Sequence, residues 1–305
     1  MKKFFNTIVA FSLFTCCLAQ KQNLRLNLSI GETYFYNATT NMNLSEDING
    51  KETIVNLSSN AIVNYKVIDN QNSVYTMQAS YGKISFRVEV QNKGQEFSSE
   101  SNDASDALSK FLKEMTNKPF FVKMSSLGRI TEVKNIDSLF INMLNKFPEI
   151  AEEKKQQLIT QLSQSYGEKS VASNLQMCTA VFPETPVKKG DTWLIKSIME
   201  SSMSLNMETT FQLTETGHNY NVLTGNANVK NVGNDTYVKI GSSFIKYNLT
   251  GTATSNIKMD KKTGWVMDGK LTMNIAGTAH IKGDDEHPEG LDVPMTIVSE
   301  TAITK

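Results

Sequence analysis

The sequence predicts a mainly β fold with an inserted α segment, built as two related curved antiparallel sheets that pack on each other or around the helices. Three observations predict it. Apolar and polar residues alternate with a period of two through most of the chain, which turns one face of each strand inward. Helical spacing occurs only between about residues 103 and 178. A motif near the start of the chain has a counterpart past its middle, and a second pair of motifs keeps the same order, as an internal duplication requires.

The central motif is Phe182-Pro183-Glu184-Thr185-Pro186-Val187-Lys188-Lys189-Gly190-Asp191-Thr192-Trp193. Pro183 and Pro186 fix φ and push their preceding residues toward extended geometry, giving a stiff lead-in. Gly190 permits a tight turn and Asp191 can hydrogen-bond its own backbone, which leaves Trp193 as a core anchor. Beyond it, Trp193, Ile195, Met199, Met203, Leu205, Met207, Phe211 and Leu213 read as one face of a strand, opposite Lys196, Glu200, Ser204, Asn206 and Glu208. Leu28-Ser29-Ile30-Gly31-Glu32-Thr33-Tyr34 is the earlier echo, allowing one position of slack before the glycine, and Tyr34 is its anchor. The second pair is Lys123-Met124-Ser125-Ser126-Leu127-Gly128-Arg129-Ile130 and Lys258-Met259-Asp260-Lys261-Lys262-Thr263-Gly264-Trp265-Val266. Gly31 to Met124 spans 93 positions and Gly190 to Met259 spans 69, so the first half carries extra residues at its hairpin turn and first helix.

Residues 1–19 have the anatomy of a secretory signal peptide: Lys2 and Lys3, an apolar run from Phe4 to Leu18, and a small-residue end with cleavage after Ala19. The run is shorter than the roughly 20 apolar residues that span a bilayer, and no later stretch reaches that length, so no transmembrane helix is expected in the mature chain. Export to the periplasm or the outside follows, with an outer-membrane lipoprotein as the variant because Leu13 stands three before Cys16.

Residues 20–134 form the first β half. Asp47-Ile48-Asn49-Gly50 and Asp69-Asn70-Gln71-Asn72 are turn signals, and Tyr81-Gly82 bends into a fourth strand in which Ile84, Phe86, Val88 and Val90 oppose Lys83, Ser85, Arg87 and Glu89. A short helix near 103–117, capped by Asp103 or Ser105, carries Leu108, Phe111, Leu112 and Met115 on one stripe. Residues 120–133 read as a hairpin. Residues 135–178 are the helical connecting segment, with stripes Ile136, Leu139, Phe140, Met143, Leu144, Phe147 and Ile150, Leu158, Ile159, Leu162, Tyr166, and with Glu152-Glu153-Lys154-Lys155 as a solvated face. Residues 179–305 form the second β half, with a turn at 214–219, breaks at Thr224-Gly225 and Val232–Asp235, a long strand from Phe244 to Met259, and closing strands at 269–281 and 291–303.

Thirty-one basic and 31 acidic side chains leave no net charge and no concentrated basic face, which excludes nucleic acid as a partner. Cys16 and Cys17 leave with the signal, so Cys178 stands alone as a small buried hydrophobe and no intramolecular disulfide forms. Four carboxylates and His287 crowd residues 284–289, but the alternating oxygen spacing of a calcium loop is absent. His218, His280 and His287 lack the spacing and cysteine partners of a zinc site. There is no Gly-x-Ser-x-Gly elbow. No catalytic residue, metal site or cofactor is therefore expected, and the chain is read as not an enzyme.

The motifs Phe182-Pro183 with Val187-x-x-Gly190-Asp191-x-Trp193, Ile30-Gly31-Glu32-x-Tyr34, and the Lys123-Met124 to Gly128 hairpin resemble an uncharacterised family of exported Bacteroidota proteins known as a domain of unknown function. The resemblance covers nearly the whole mature chain. It implies export and a β-rich fold and transfers no site residues.

Two function classes fit these readings. One is an envelope scaffold or interaction protein whose partner is another envelope protein. The other is a carrier or sensor of an apolar, lipid-like small molecule in a cleft between curved sheet and helices. In the second, Met199, Met203, Leu205 and Met207 line that cleft beneath the helical segment, since unbranched, polarizable methionine suits surfaces that repack around apolar ligands. The oligomeric state is left open.

Overall fold

The computed structural model describes residues 21–91, 93–103, 106–148, 150–200, 203–233, 236–240, 243–283 and 288–305, with the backbone alone at 161 and 164–166. The secretory signal, the cap candidate Ser105, the turn residues Asn234 and Asp235, and residues 284–287 of the acidic loop lie outside the described residues.

The chain is mainly β with an inserted α segment. Strands β1 (Thr33–Ile48), β2 (Lys51–Gln71), β3 (Val74–Val90) and β4 (Lys93–Ser98) come first. They are followed by α1 (Ala107–Met115), β5 (Phe120–Ser125), β6 (Ile130–Lys134), α2 (Ile136–Leu144), α3 (Glu152–Tyr166) and α4 (Glu168–Thr179). The second half holds β7 (Thr192–Met199), β8 (Leu205–Thr216), β9 (Tyr220–Asn231), β10 (Val238–Ile240), β11 (Ser243–Asp260), β12 (Val266–Ile281) and β13 (Leu291–Thr304). These 13 strands make one antiparallel sheet in the order β6-β5-β3-β2-β1-β13-β12-β11-β9-β8-β7, with β4 on β3 and β10 on β11. The two related halves are thus two meanders joined through the β1–β13 ladder, with β1, β2, β3, β5 and β6 corresponding in order to β7, β8, β9, β11 and β12.

The echoed motifs do the same work in each half. Gly31 and Gly190 both adopt left-handed φ, +89° and +93°, a conformation that costs a residue with a Cβ. Gly31 N donates to Val67 O and Val67 N to Glu32 O, at 2.8 and 3.0 Å. Gly190 N donates to Leu213 O and Leu213 N to Asp191 O, at 2.8 and 3.2 Å, so each motif pins the start of its first strand to the second strand.

The two halves also exchange their entering segments. Thr179, leading into the second half, donates its hydroxyl to Gly128 O of the first half's β5–β6 turn at 2.7 Å. Asn27, leading into the first half, donates its N–H to Thr263 O of the second half's β11–β12 turn at 2.8 Å. The entering segments pair with each other as well, through Gln22 and Val187.

The edge strands β6 and β7 are not paired, so the sheet is open and does not curl shut into a barrel. Helix α4 nevertheless packs against both edges and touches β12. Laid flat at about 4.8 Å per strand, the path would separate its edges by roughly 48 Å. A 12-residue helix is only about 18 Å long. The sheet is therefore bent enough for one helix to pack beside both edge strands of the main path, where unpaired edge groups are a liability of open sheets.

Several sequence expectations are corrected. The apolar series from Trp193 to Leu213 is a hairpin rather than one strand, since β7 ends at Met199 and Met199 pairs with Leu205 across the turn. Gly82 lies inside β3, where the register shifts between Ile62 and Val63, and it is a bulge rather than a corner. Gly225 lies inside β9, where it makes room for the Phe211 ring: a Cβ there would sit 2.8 Å from a ring carbon. Asp106 caps α1, accepting from the N–H groups of Leu108 and Ser109. Lys155 is not solvated; its stem is buried and its ammonium reaches Glu152 Oε1 at 2.7 Å. Trp193 and Tyr34 are half-buried, and the fully buried anchors are Trp265 and Tyr65, at 2% and 1% exposure.

Two apolar clusters fill the inner face. The larger joins α1, α2 and α4 to Tyr36, Val63, Tyr65, Tyr75, Met77, Phe120 and Trp265. The second runs over β8, β9, β11, β12 and β13 and contains no helix residue.

Candidate functional site

Helix α4 positions the site. Val171 and Leu175, four apart, turn into the larger cluster, which leaves Ala172, Ser173 and Gln176 on a neighbouring face. Ser173 Oγ accepts from Glu200 N at 3.1 Å, clasping the helix to the β7–β8 hairpin. Thr179 holds the other end at Gly128, and Trp193 Nε1 donates to Val181 O at 2.9 Å just beyond it.

Between α4 and the hairpin lies a cleft of about 780 Å³, within the 300–1,000 Å³ typical of small-molecule sites. Its apolar wall is Ala172, Ala180, Ile195, Ile198 and Met207. Its charged groups are Arg129, Lys169, Lys196, Lys230, Glu200 and Glu208. Lys196 Nζ pairs with Glu208 Oε1 at 2.8 Å, and this bond, with the charges of Lys196 and Lys230, holds the Glu208 carboxyl below the usual range. Arg129 pairs with Glu184 at 2.8 Å. Among the described residues no carboxylate forms an ion pair with Lys169 or Lys230.

Beneath α4 a small cavity of about 30 Å³ shares Gln176, Ala180, Ile195, Ser197 and Met207 with the cleft and is floored by Gly225, Ala227, Ala253 and Ser255. Ser255 Oγ is buried there without a hydrogen-bond partner among the described residues. A buried, unpaired hydroxyl is costly and uncommon.

From Ile195 an inner-face row crosses the sheet through Thr209, Ala227, Ala253, Met273, Ser299, Met42, Leu57 and Val88. The next row, from Ser197, passes Met207, Val229, Gly251, Ile275, Ile297, Leu44, Val55 and Val90. Both rows are closed over β8, β9, β12 and β13. On β1–β3 they open: Met42, Leu44, Val55, Leu57 and Val88 are half-buried and Val90 is 41% exposed. Val55, Leu57 and Val88 pack into neither apolar cluster.

Of the four predicted ligand contacts, Met207 alone lines the cleft. Leu205, 2% exposed, belongs to the second cluster, and Met199 and Met203 pack at its margin. Met203 lines a separate hollow of about 220 Å³ with Val238 and Tyr247. The motif residues Gly31, Tyr34, Gly190, Asp191 and Trp193 set strand starts and do not line the cleft. Sequence reading missed Lys169, Ala172, Ser173 and Gln176 of α4, although Val171 and Leu175 at helical spacing carried that helix's signal.

Cys178 is free and half-buried rather than fully buried, packed against the larger cluster, and desolvation pushes its thiol up to about 12. No helix among the described residues is long and apolar enough to cross a membrane.

No curated protein matches this chain. Among solved structures it is similar to lipovitellin, with a TM-score of 0.50 and 10% identity over 91% of this chain, which spans about a quarter (25%) of the lipovitellin chain. That likeness is one of fold. An outer membrane channel from Pseudomonas putida F1 matches 92% of this chain and 97% of its own at 8% identity, with a TM-score of only 0.26. Residues 72–266 match the DUF6263 profile, and the chain belongs to that family of unknown function.

Proposed function

We propose that the chain is an exported, non-enzymatic carrier or sensor of an apolar, lipid-like molecule, held on the inner face of β1–β3 and admitted past α4. The observation that carries this reading is Val55, Leu57 and Val88: three inward-facing apolar side chains on adjacent strands, half-buried and packed into neither cluster. Their neighbours on the opposite face are Ile54, which is 39% exposed, and the polar Asn56, Ser58, Arg87 and Glu89. An apolar sheet face left open beside a closed one is a surface for an apolar ligand. The lipovitellin structure, one of lipid–protein interactions, lends support through the fold. The scaffold reading has no comparable observation of its own, and α4 packs beside both edge strands of the main path, where another chain would add a strand.

The test is a fluorescence titration with an apolar probe on the wild type and on Leu57→Asp. Leu57 is half-buried and packs into neither apolar cluster, so a carboxylate there keeps part of its hydration and the fold survives, while binding is lost. A wild type that leaves the probe's emission unchanged would overturn the reading.

A further inference from the structure

We infer that the β10–β11 hairpin docks on a zwitterionic phospholipid surface, its tip entering the headgroup region through Ile240 and Phe244. The inference goes beyond the carrier reading and is tested apart from it, since it concerns the end of the sheet and not the ligand face.

Exposed apolar residues are ordinary when scattered. Here two stand at one tip: Ile240 is 37% and Phe244 44% exposed, with Ile240 opposite Ser243 and Lys239 opposite Phe244. From 236 to 249 the sequence holds Tyr237, Phe244 and Tyr247, four aliphatic residues, two lysines and no Asp or Glu, and the strands join through Gly241-Ser242. The β1–β2 tip is the contrast. Ile48 and Ile54 are exposed there too, but Asp47, Lys51 and Glu52 crowd the turn, and Gly50 N donates to Asp47 Oδ1 at 2.7 Å.

The strand register sorts the hairpin's two faces. Val238, Ile245 and Tyr247 turn inward, the last two packing at the margin of the second cluster. Tyr237, Lys239, Phe244 and Lys246 turn outward, and Lys282 joins them through its N–H bond to Phe244 O. Lys239 and Lys282 place Nζ 5.9 and 5.7 Å from the Phe244 ring centroid, and Lys246 places it 5.6 Å from that of Tyr237. Among the described residues none of these lysines pairs with a carboxylate, and Asp292 is taken by His280. Aromatic bodies flanked by long ammonium side chains suit the boundary between headgroups and acyl chains, where the amines reach phosphate. The adjoining β12–β13 link carries Asp284, Asp285, Glu286 and Glu289 in its sequence, so this end has charges of both signs, which fits a zwitterionic headgroup rather than an anionic one. Two exposed apolar side chains beside a three-residue strand fall far short of the roughly 800 Å² per partner of a stable protein interface.

The experiment floats the full mature protein with phosphatidylcholine vesicles on a density gradient. Wild type should float. Ile240→Asp/Phe244→Asp should float about tenfold less, because membrane binding scales with buried apolar area, while its melting and its titration with the apolar probe stay those of wild type. Ile48→Asp should float like wild type. Phe244→Trp keeps a ring at the tip: brominated acyl chains should quench it beyond whatever loss Trp193 and Trp265 show in wild type, and Ile48→Trp should add no quenching. A wild type that stays down, a double variant that floats, or Phe244→Trp quenched no more than Ile48→Trp would overturn the docking assignment while leaving the carrier reading intact. A wild-type dimer that the double variant splits would give the tip to a second copy of the chain and overturn the assignment too. A wild type that floats yet binds no probe would overturn the carrier reading alone.

Discussion

Two tryptophans stand near the starts of strands, and the structure assigns them different costs of removal. Trp265 is 2% exposed, its Nε1 donates to Phe35 O at 3.1 Å, and its ring packs on Tyr34 and Tyr65 at 5.3 and 5.7 Å. Trp265→Ala removes a fully buried aromatic and strands a carbonyl, which costs about 3–5 kcal/mol. Trp193 is half-buried, stacked on Phe211 at 6.2 Å with its Nε1 on Val181 O. Trp193→Ala forfeits about half the transfer term and one hydrogen bond, so roughly 2 kcal/mol. Thermal denaturation reads the difference: at about 2–4 °C per kcal/mol, Trp265→Ala should melt roughly 10 °C below wild type and Trp193→Ala roughly 5 °C below. Equal shifts, or a larger one for Trp193→Ala, would refute the argument from burial.

Other consequences follow from single contacts. Gly128→Ala sets a Cβ 1.8 Å from Thr179 O and should be far more destabilising than Gly190→Ala, which meets nothing within 4 Å and costs only a left-handed backbone, about 1–2 kcal/mol; equal denaturant midpoints would contradict the exchange of entering segments. With its thiol near 12, half-buried Cys178 should resist iodoacetamide at pH 8 in the native protein and react once urea unfolds it, and rapid native labelling would refute the raised thiol. Asp106 is held low first by the Ser109 hydroxyl, and Glu132 and Glu208 first by hydrogen bonds from Lys134 and Lys196. Folded values below unfolded ones stabilise above the unfolded carboxylate range, near pH 4, and that contribution is lost as pH falls through it. Urea midpoints should therefore drop below about pH 4 in wild type and drop less in Glu208→Gln; identical acid slopes would refute the role of that pair.

Much of the fold was legible because alternation is local. The turns at Asp47–Gly50 and Thr214–Asn219, the long β11, and the order of the duplicated motifs all follow from residues near one another in the chain. The failures are physical too. Met199, Met203 and Met207 keep an even spacing through a hairpin turn, so periodicity alone cannot show the reversal. Gly82 and Gly225 look like breaks, yet one absorbs a bulge and the other yields space to Phe211, and both facts depend on a neighbouring strand. The cleft gathers Arg129, Lys169, Ile195 and Lys230 from four elements, and only the bend of the sheet around α4 brings them together. That Val55, Leu57 and Val88 lack a cover is a property of packing, which alternation does not encode.

Native mass spectrometry of the folded mature chain after exposure to lipid vesicles tests the carrier claim most directly. The account predicts a population shifted by the mass of a bound lipid in wild type, and only the bare chain in a Leu57→Asp/Val88→Asp variant that still melts cooperatively. A wild type observed solely at its bare mass, or a variant that keeps the bound lipid, would contradict it.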